Sequence, residues 1–137
     1  IDKEIEKLGS KPPLLFGVTV LTSMDKSDLR ETGVADSVLE QVKRLTLLCA
    51  ETGLDGVVCS ANEIKIVREV GGADFKIITP GIRPAWSERG DQKRIVTPAE
   101  AIKRGGDFLV IGRPITQSMD PANSIRKIIG EIERELG

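Results

Sequence analysis

The sequence predicts an α/β fold organised on a parallel β-sheet. Four short apolar runs, at residues 14–21, 56–60, 75–79 and 107–112, read as strands. The segments after three of them carry helical periodicity instead of a hairpin turn, the order expected of βα units. The first run, LLFGVTVL, and the last, DFLVIG, are almost continuously apolar, the pattern of strands covered on both faces.

The helices follow from their caps and stripes. Ser37 with Glu40 forms a capping-box pattern, after which Val38, Leu39, Val42, Leu45, Leu48 and Cys49 share one face until Gly53. Ser60 with Glu63 opens a second helix whose Ile64, Val67 and Val70 point inward, with Gly71 and Gly72 ending it. Thr97 and Pro98 open a third, with Glu100 placed to bond back to the cap. Asp120 and Pro121 open a fourth, which carries Ile125, Ile128, Ile129, Ile132 and Leu136 at helical spacing. Residues 80–92 break this rhythm with a polar, irregular run of the length typical of functional loops, and Trp86 within it is a candidate hinge anchor. No internal repeat or low-complexity tract stands out.

A chain of 137 residues with 39% hydrophobic and 30% charged residues reads as one folded domain. Its 20 basic and 21 acidic residues give a formal charge of −1, which offers no bulk attraction for nucleic acid or an anionic membrane. No run is long enough for a transmembrane helix and the opening residues are too polar for a signal peptide, so the cytoplasm is the expected location. Histidine is absent, which removes Ser/His and Cys/His triads. Cys49 and Cys59 sit in apolar stretches without metal-site spacing and read as ordinary thiols.

The chemistry concentrates at strand ends. Gly112 and Arg113 follow the last strand, where glycine permits close backbone approach and the guanidinium suits a phosphate dianion; a plain strand-end turn fits the spacing equally well. Arg83 follows the third strand between Pro80 and Pro84, which stiffen it. In βα folds the carboxyl ends of the strands face the site, so two arginines there favour a shared anion site over two separate solvated side chains. Thr22 and Ser23, after the first strand, present either ligand donors or a helix cap. Gln92 carries an amide able to bridge two ligand groups, or simply faces water. Asp25, Lys26, Asp28 and Glu31 read as a solvated helix face. Periodicity alone leaves a closed barrel and a doubly wound sheet both open.

Five collinear blocks settle on a resemblance: LLFGVTVLTSM (14–24), LDGVVCSANEI (54–64), IITPGIRP (77–84), GDQKRIVTPAEAI (90–102) and DFLVIGRPITQSMDP (107–121). Together they resemble the C-terminal half of the bacterial orotidine 5′-phosphate decarboxylases. The resemblance implies strands five to eight of a TIM (β/α)8 barrel, with residues 1–137 as a partial barrel domain and residues 85–92 as a phosphate-closing loop. It implies a usual homodimer and conversion of orotidine 5′-monophosphate to uridine 5′-monophosphate without metal or cofactor. By resemblance Thr22 contacts the base, Arg83 and Arg113 bind phosphate, Gly112 supplies a backbone donor, and Gln92 reaches from the closing loop to the base. The family's D-x-K-x-x-D motif is not reproduced: Asp91-Gln92-Lys93 shares the letters D-x-K, but Val96 stands where the second aspartate belongs. The catalytic lysine and aspartates are therefore expected in an absent N-terminal half, and the isolated chain is expected to be inactive. The alternatives are a related sugar-phosphate aldolase or decarboxylase, and a half-barrel that binds a nucleotide or a second chain without turnover.

Overall fold

The computed structural model describes residues 5, 7, 9, 11–87 and 96–137. In chain order the elements are β1 (Phe16–Val18), α1 (Lys26–Glu31), α2 (Val38–Glu51), β2 (Gly56–Val58), α3 (Ile64–Gly71), β3 (Lys76–Thr79), α4 (Pro98–Lys103), β4 (Phe108–Leu109), α5 (Arg113–Thr116) and α6 (Pro121–Leu136). The strands form one sheet in sequential order, β1-β2-β3-β4, and every pairing is parallel. A doubly wound sheet reverses its strand order at a switch point. This order contains no reversal, so the open alternative left by periodicity does not apply to the described residues.

The caps mostly form where side-chain chemistry places them. Ser37 accepts from the Glu40 N–H at 3.2 Å, Thr97 from the Glu100 N–H at 3.3 Å, and Asp120 from the Asn123 N–H at 2.9 Å. Two expectations need correction. Glu100 pairs with Arg104 on its own helix instead of bonding back to the cap. The Ser60–Glu63 pair closes the turn before α3, its carboxylate accepting from the Ser60 N–H at 2.9 Å, so the helix starts after Glu63. Before α1, Asp25 and Asp28 exchange bonds as a capping box, which takes the cap role away from Thr22 and Ser23 and gives part of the supposed solvated face a structural task.

The two faces of the sheet differ. Gly17, Val57 and Ile77 share one face by register; Val57 and Ile77 are fully buried, and a Cβ on Gly17 would collide with the Cys49 thiol of α2. The other face carries Phe16, Val18, Val58, Ile78 and Phe108, and there Val18 is 59% and Phe108 45% exposed. The apolar runs of β1 and β4 are thus covered on one face only, contrary to their sequence pattern. The Phe16 and Phe108 rings nonetheless meet edge to face with centroids 6.2 Å apart. In a flat sheet the first and fourth strands stand about 14 Å apart, so this sheet curls, concave on the side away from the helices.

Helix faces are corrected in the same direction. In α2 the buried positions are Val42 and Thr46, while Leu39 and Leu48 are exposed. In α6 Ile128 is buried but Ile125, Ile129 and Leu136 stand open. The amphipathic stripe exists, and the described chain supplies nothing to cover most of it.

At the amino ends of the strands one device occurs twice. Asp55 donates its N–H to the Leu15 carbonyl at 2.9 Å and accepts the Leu15 N–H on its carboxylate at 2.7 Å. Asp107 does the same to Ile77, at 3.1 and 2.8 Å. Each aspartate follows a glycine two residues earlier in the left-handed region, Gly53 at φ 78° and Gly105 at φ 100°. This local repeat, invisible as a long sequence period, starts β2 and β4 against the strand before each. Arg68 completes that end, donating to the carbonyls of Gly105, Ala73 and Phe75 and to Asp107 at 2.6 Å.

Candidate anion site

At the carboxyl ends, β3 runs into Pro80 and then Gly81, whose φ of 75° turns the chain. Ile82 forms a parallel bridge with Val96, and the Arg83 N–H donates to the Val96 carbonyl at 3.1 Å. Pro84, fully buried, follows. Backbone pairing and two prolines therefore hold Arg83 in place rather than leaving it on a free loop. On the neighbouring strand, Val110 donates to the Thr79 carbonyl at 2.9 Å, which carries pairing past β4 up to Gly112 and Arg113.

Arg83 and Arg113 line one cleft of about 220 Å³, together with Gly81, Val110 and Gly112. The spacing argument for a shared site thus corresponds to a shared concavity. Arg83 is only 7% exposed, and its Nε is buried without a hydrogen-bond partner among the described residues. A desolvated guanidinium donor is costly unless an acceptor reaches it, and a charge-assisted bond to a dianion offsets that cost best. Beside Gly112 a Cβ would meet nothing within 4 Å, so a ligand has room at the backbone there.

The other two predicted positions do not join this cleft. Thr22 is buried beyond β1, at the opposite edge of the sheet from Arg113, and does not line it. Gln92 lies outside the described residues, as does the loop 85–92 beyond residue 87. At the start of that loop Trp86 is half exposed, with the Lys127 ammonium 5.6 Å from its ring centroid, which ties it to α6.

Thr79, at the end of β3, has a fully buried hydroxyl without a partner among the described residues, but it lies on the Ile77 face beside Gly106 and does not line the cleft. Both cysteines are free, and burial pushes the Cys49 thiol above its ordinary range. Among the described residues no helix is long and apolar enough to cross a membrane.

The described residues thus form a curled parallel sheet with a candidate anion cleft at its carboxyl ends. The family model described as orotidine 5′-phosphate decarboxylase / HUMPS matches residues 1–128. The chain belongs to that family. A family member named orotidine 5′-phosphate decarboxylase from Rhodospirillum rubrum is 58% identical over 125 residues, 91% of this chain and 51% of its own. One of the same name from Paramagnetospirillum magneticum is 53% identical over 134 residues, 98% of this chain and 55% of its own. The crystal structure of orotidine 5′-phosphate decarboxylase from Lactobacillus acidophilus matches with a TM-score of 0.73 at 38% identity, over 90% of this chain and 51% of that one. The chain therefore spans about half the length of the family members it matches.

Proposed function

We propose that this chain is the phosphate- and base-binding half of an orotidine 5′-phosphate decarboxylase, corresponding to strands five to eight of its (β/α)8 barrel. The observation that carries the reading is the cleft that Arg83 and Arg113 line together with Gly112 at the carboxyl ends of the strands. Sequential parallel strand order and concave curl support the barrel, and the name borne by the relatives favours the decarboxylase branch of the family over its HUMPS branch.

In this reading the nucleotide 5′-phosphate sits between Arg83 and Arg113 against the Gly112 backbone. Thr22 serves the base from the first strand, and Gln92 on the loop 85–92 reaches over from the phosphate. Decarboxylation breaks the bond between C6 and the carboxylate, leaves the electron pair on C6, and ends when a lysine ammonium delivers a proton there. That lysine and its aspartates belong to the N-terminal half. This half supplies remote binding, which favours the reacting geometry only when the other half presents its charges to C6. A cytoplasmic location and a homodimer of complete barrels belong to the same proposal.

Two measurements test it. Calorimetric titration of residues 1–137 with uridine 5′-monophosphate and with inorganic phosphate should show binding that Arg83→Ala and Arg113→Ala each weaken; a folded chain that binds neither ligand contradicts the site. Loss of orotate absorbance should be absent with either half alone and return when the halves are mixed. Turnover by residues 1–137 alone would overturn the division of labour.

A further inference from the structure

We infer that Arg104 is a positioning residue for the anion site: it holds the Glu100 carboxylate and so keeps that carboxylate from competing with a bound phosphate for Arg83. The inference rests on the reading of Arg83 as an anion-binding residue and adds to it the contacts that keep Arg83 available.

Arg83 stands between two hollows. On one side is the cleft it shares with Gly112 and Arg113, whose lining contains no carboxylate. On the other, Arg83 and Glu100 line a second hollow of about 220 Å³, and Glu100 is the one acid among its lining residues. Glu100 is thus the acid placed to reach Arg83 by a change of rotamer. Arg83 is 7% exposed and its Nε has no hydrogen-bond partner among the described residues. A desolvated guanidinium takes whatever acceptor arrives. A carboxylate on the same chain has the advantage there, because tethering gives it an effective concentration of about millimolar. A loose Glu100 would occupy Arg83 at the expense of free phosphate.

The Arg104 contacts prevent this. Arg104 caps the carboxyl end of α4, one turn after Glu100, and its Nη2 donates to the Glu100 Oε1. An exposed pair at that spacing is worth little by itself. This guanidinium, however, is also fixed from its other side, where Nη1 donates to the Asn62 side-chain oxygen at 2.8 Å and to the Ala61 carbonyl at 3.2 Å. Those acceptors belong to the turn after β2 that Glu63 closes through the Ser60 N–H, and Ser60, Ala61 and Glu63 are all buried. The planar fork of Arg104 therefore bridges α4 to a rigid turn, and the Glu100 carboxylate is held toward Arg104.

Calorimetric titration of residues 1–137 with inorganic phosphate tests this, with circular dichroism confirming that each variant folds. Arg104→Met keeps the apolar stem but releases Glu100, and should weaken phosphate binding about fivefold, the worth of one partly exposed ion pair. Adding Glu100→Gln to Arg104→Met should restore the wild-type affinity. The double variant lacks the same Asn62 and Ala61 contacts, so a purely structural effect of Arg104 would persist in it. Glu100→Gln alone should bind phosphate at least as tightly as the wild type. Unchanged affinity in folded Arg104→Met, a double variant as weak as Arg104→Met, or weaker binding by Glu100→Gln would each overturn the role of Arg104 while leaving the anion site in place. A folded wild type that binds no phosphate would remove the site and this inference with it.

Discussion

The two ends of the β-strands are built on opposite plans. At the amino ends every charge described above meets its partner: Asp55 holds Leu15, Asp107 holds Ile77, and Arg68 gathers three carbonyls and Asp107. At the carboxyl ends Arg83 buries an Nε that no described group satisfies. The glycines follow suit. A Cβ on Gly56, at the start of β2, would run into the Lys76 carbonyl, whereas one on Gly112, past β4, would meet open space. Stability is concentrated at one end and unsatisfied hydrogen-bonding capacity at the other, which is where βα barrels place their ligands.

Substitution at each end should separate the two roles. The largest effect is expected for Gly56→Ala, which drives strand β2 away from β3 and should cost about 3 kcal/mol, seen as a lower urea midpoint. Arg68→Ala leaves several carbonyls and Asp107 without their donor and should cost about 2–3 kcal/mol while phosphate affinity of the folded fraction stays unchanged. If phosphate affinity fell as far as stability, the two ends would not be independent. Arg83→Ala reverses the pattern: phosphate affinity should drop about tenfold or more, with a stability change below about 1 kcal/mol because the lost Nε had no partner to leave behind. Gly112→Ala should leave the melting temperature nearly unchanged and weaken phosphate binding modestly, since the added methyl occupies ligand space; equal binding would place the anion elsewhere in the cleft.

The smallest effect lies away from both ends. Lys103 donates to Glu135 at 2.7 Å and lowers its carboxyl from the ordinary value of 4.5, first through that hydrogen bond and then through its charge. A folded-state value below the unfolded one contributes stability that is present above pH 4.5 and lost as pH falls through the lowered value. Glu135→Gln should therefore reduce stability slightly at neutral pH and not at pH values below the lowered one, the pair being exposed and screened.

Much of this architecture is legible in the letters. The βα order, the caps at Ser37, Thr97 and Asp120, and the placement of Arg83 and Arg113 after consecutive strands all depend on residues close together in the chain, and local chemistry determines them. Other features depend on residues far apart. Arg68 and Asp107, or Phe16 and Phe108, meet only because the sheet curls. An alternating or continuous apolar pattern says that a strand or helix has a face to bury, but it cannot say whether anything arrives to bury it, as Val18 and Ile129 demonstrate. The same holds for the site. An arginine after a strand is a candidate from its position, but whether its guanidinium is solvated or stripped of water depends on packing contributed by Pro84, Val96 and the neighbouring strand. Desolvation is a property of the assembled fold, and it alone turned Arg83 from a charged residue in a stiff turn into a buried donor.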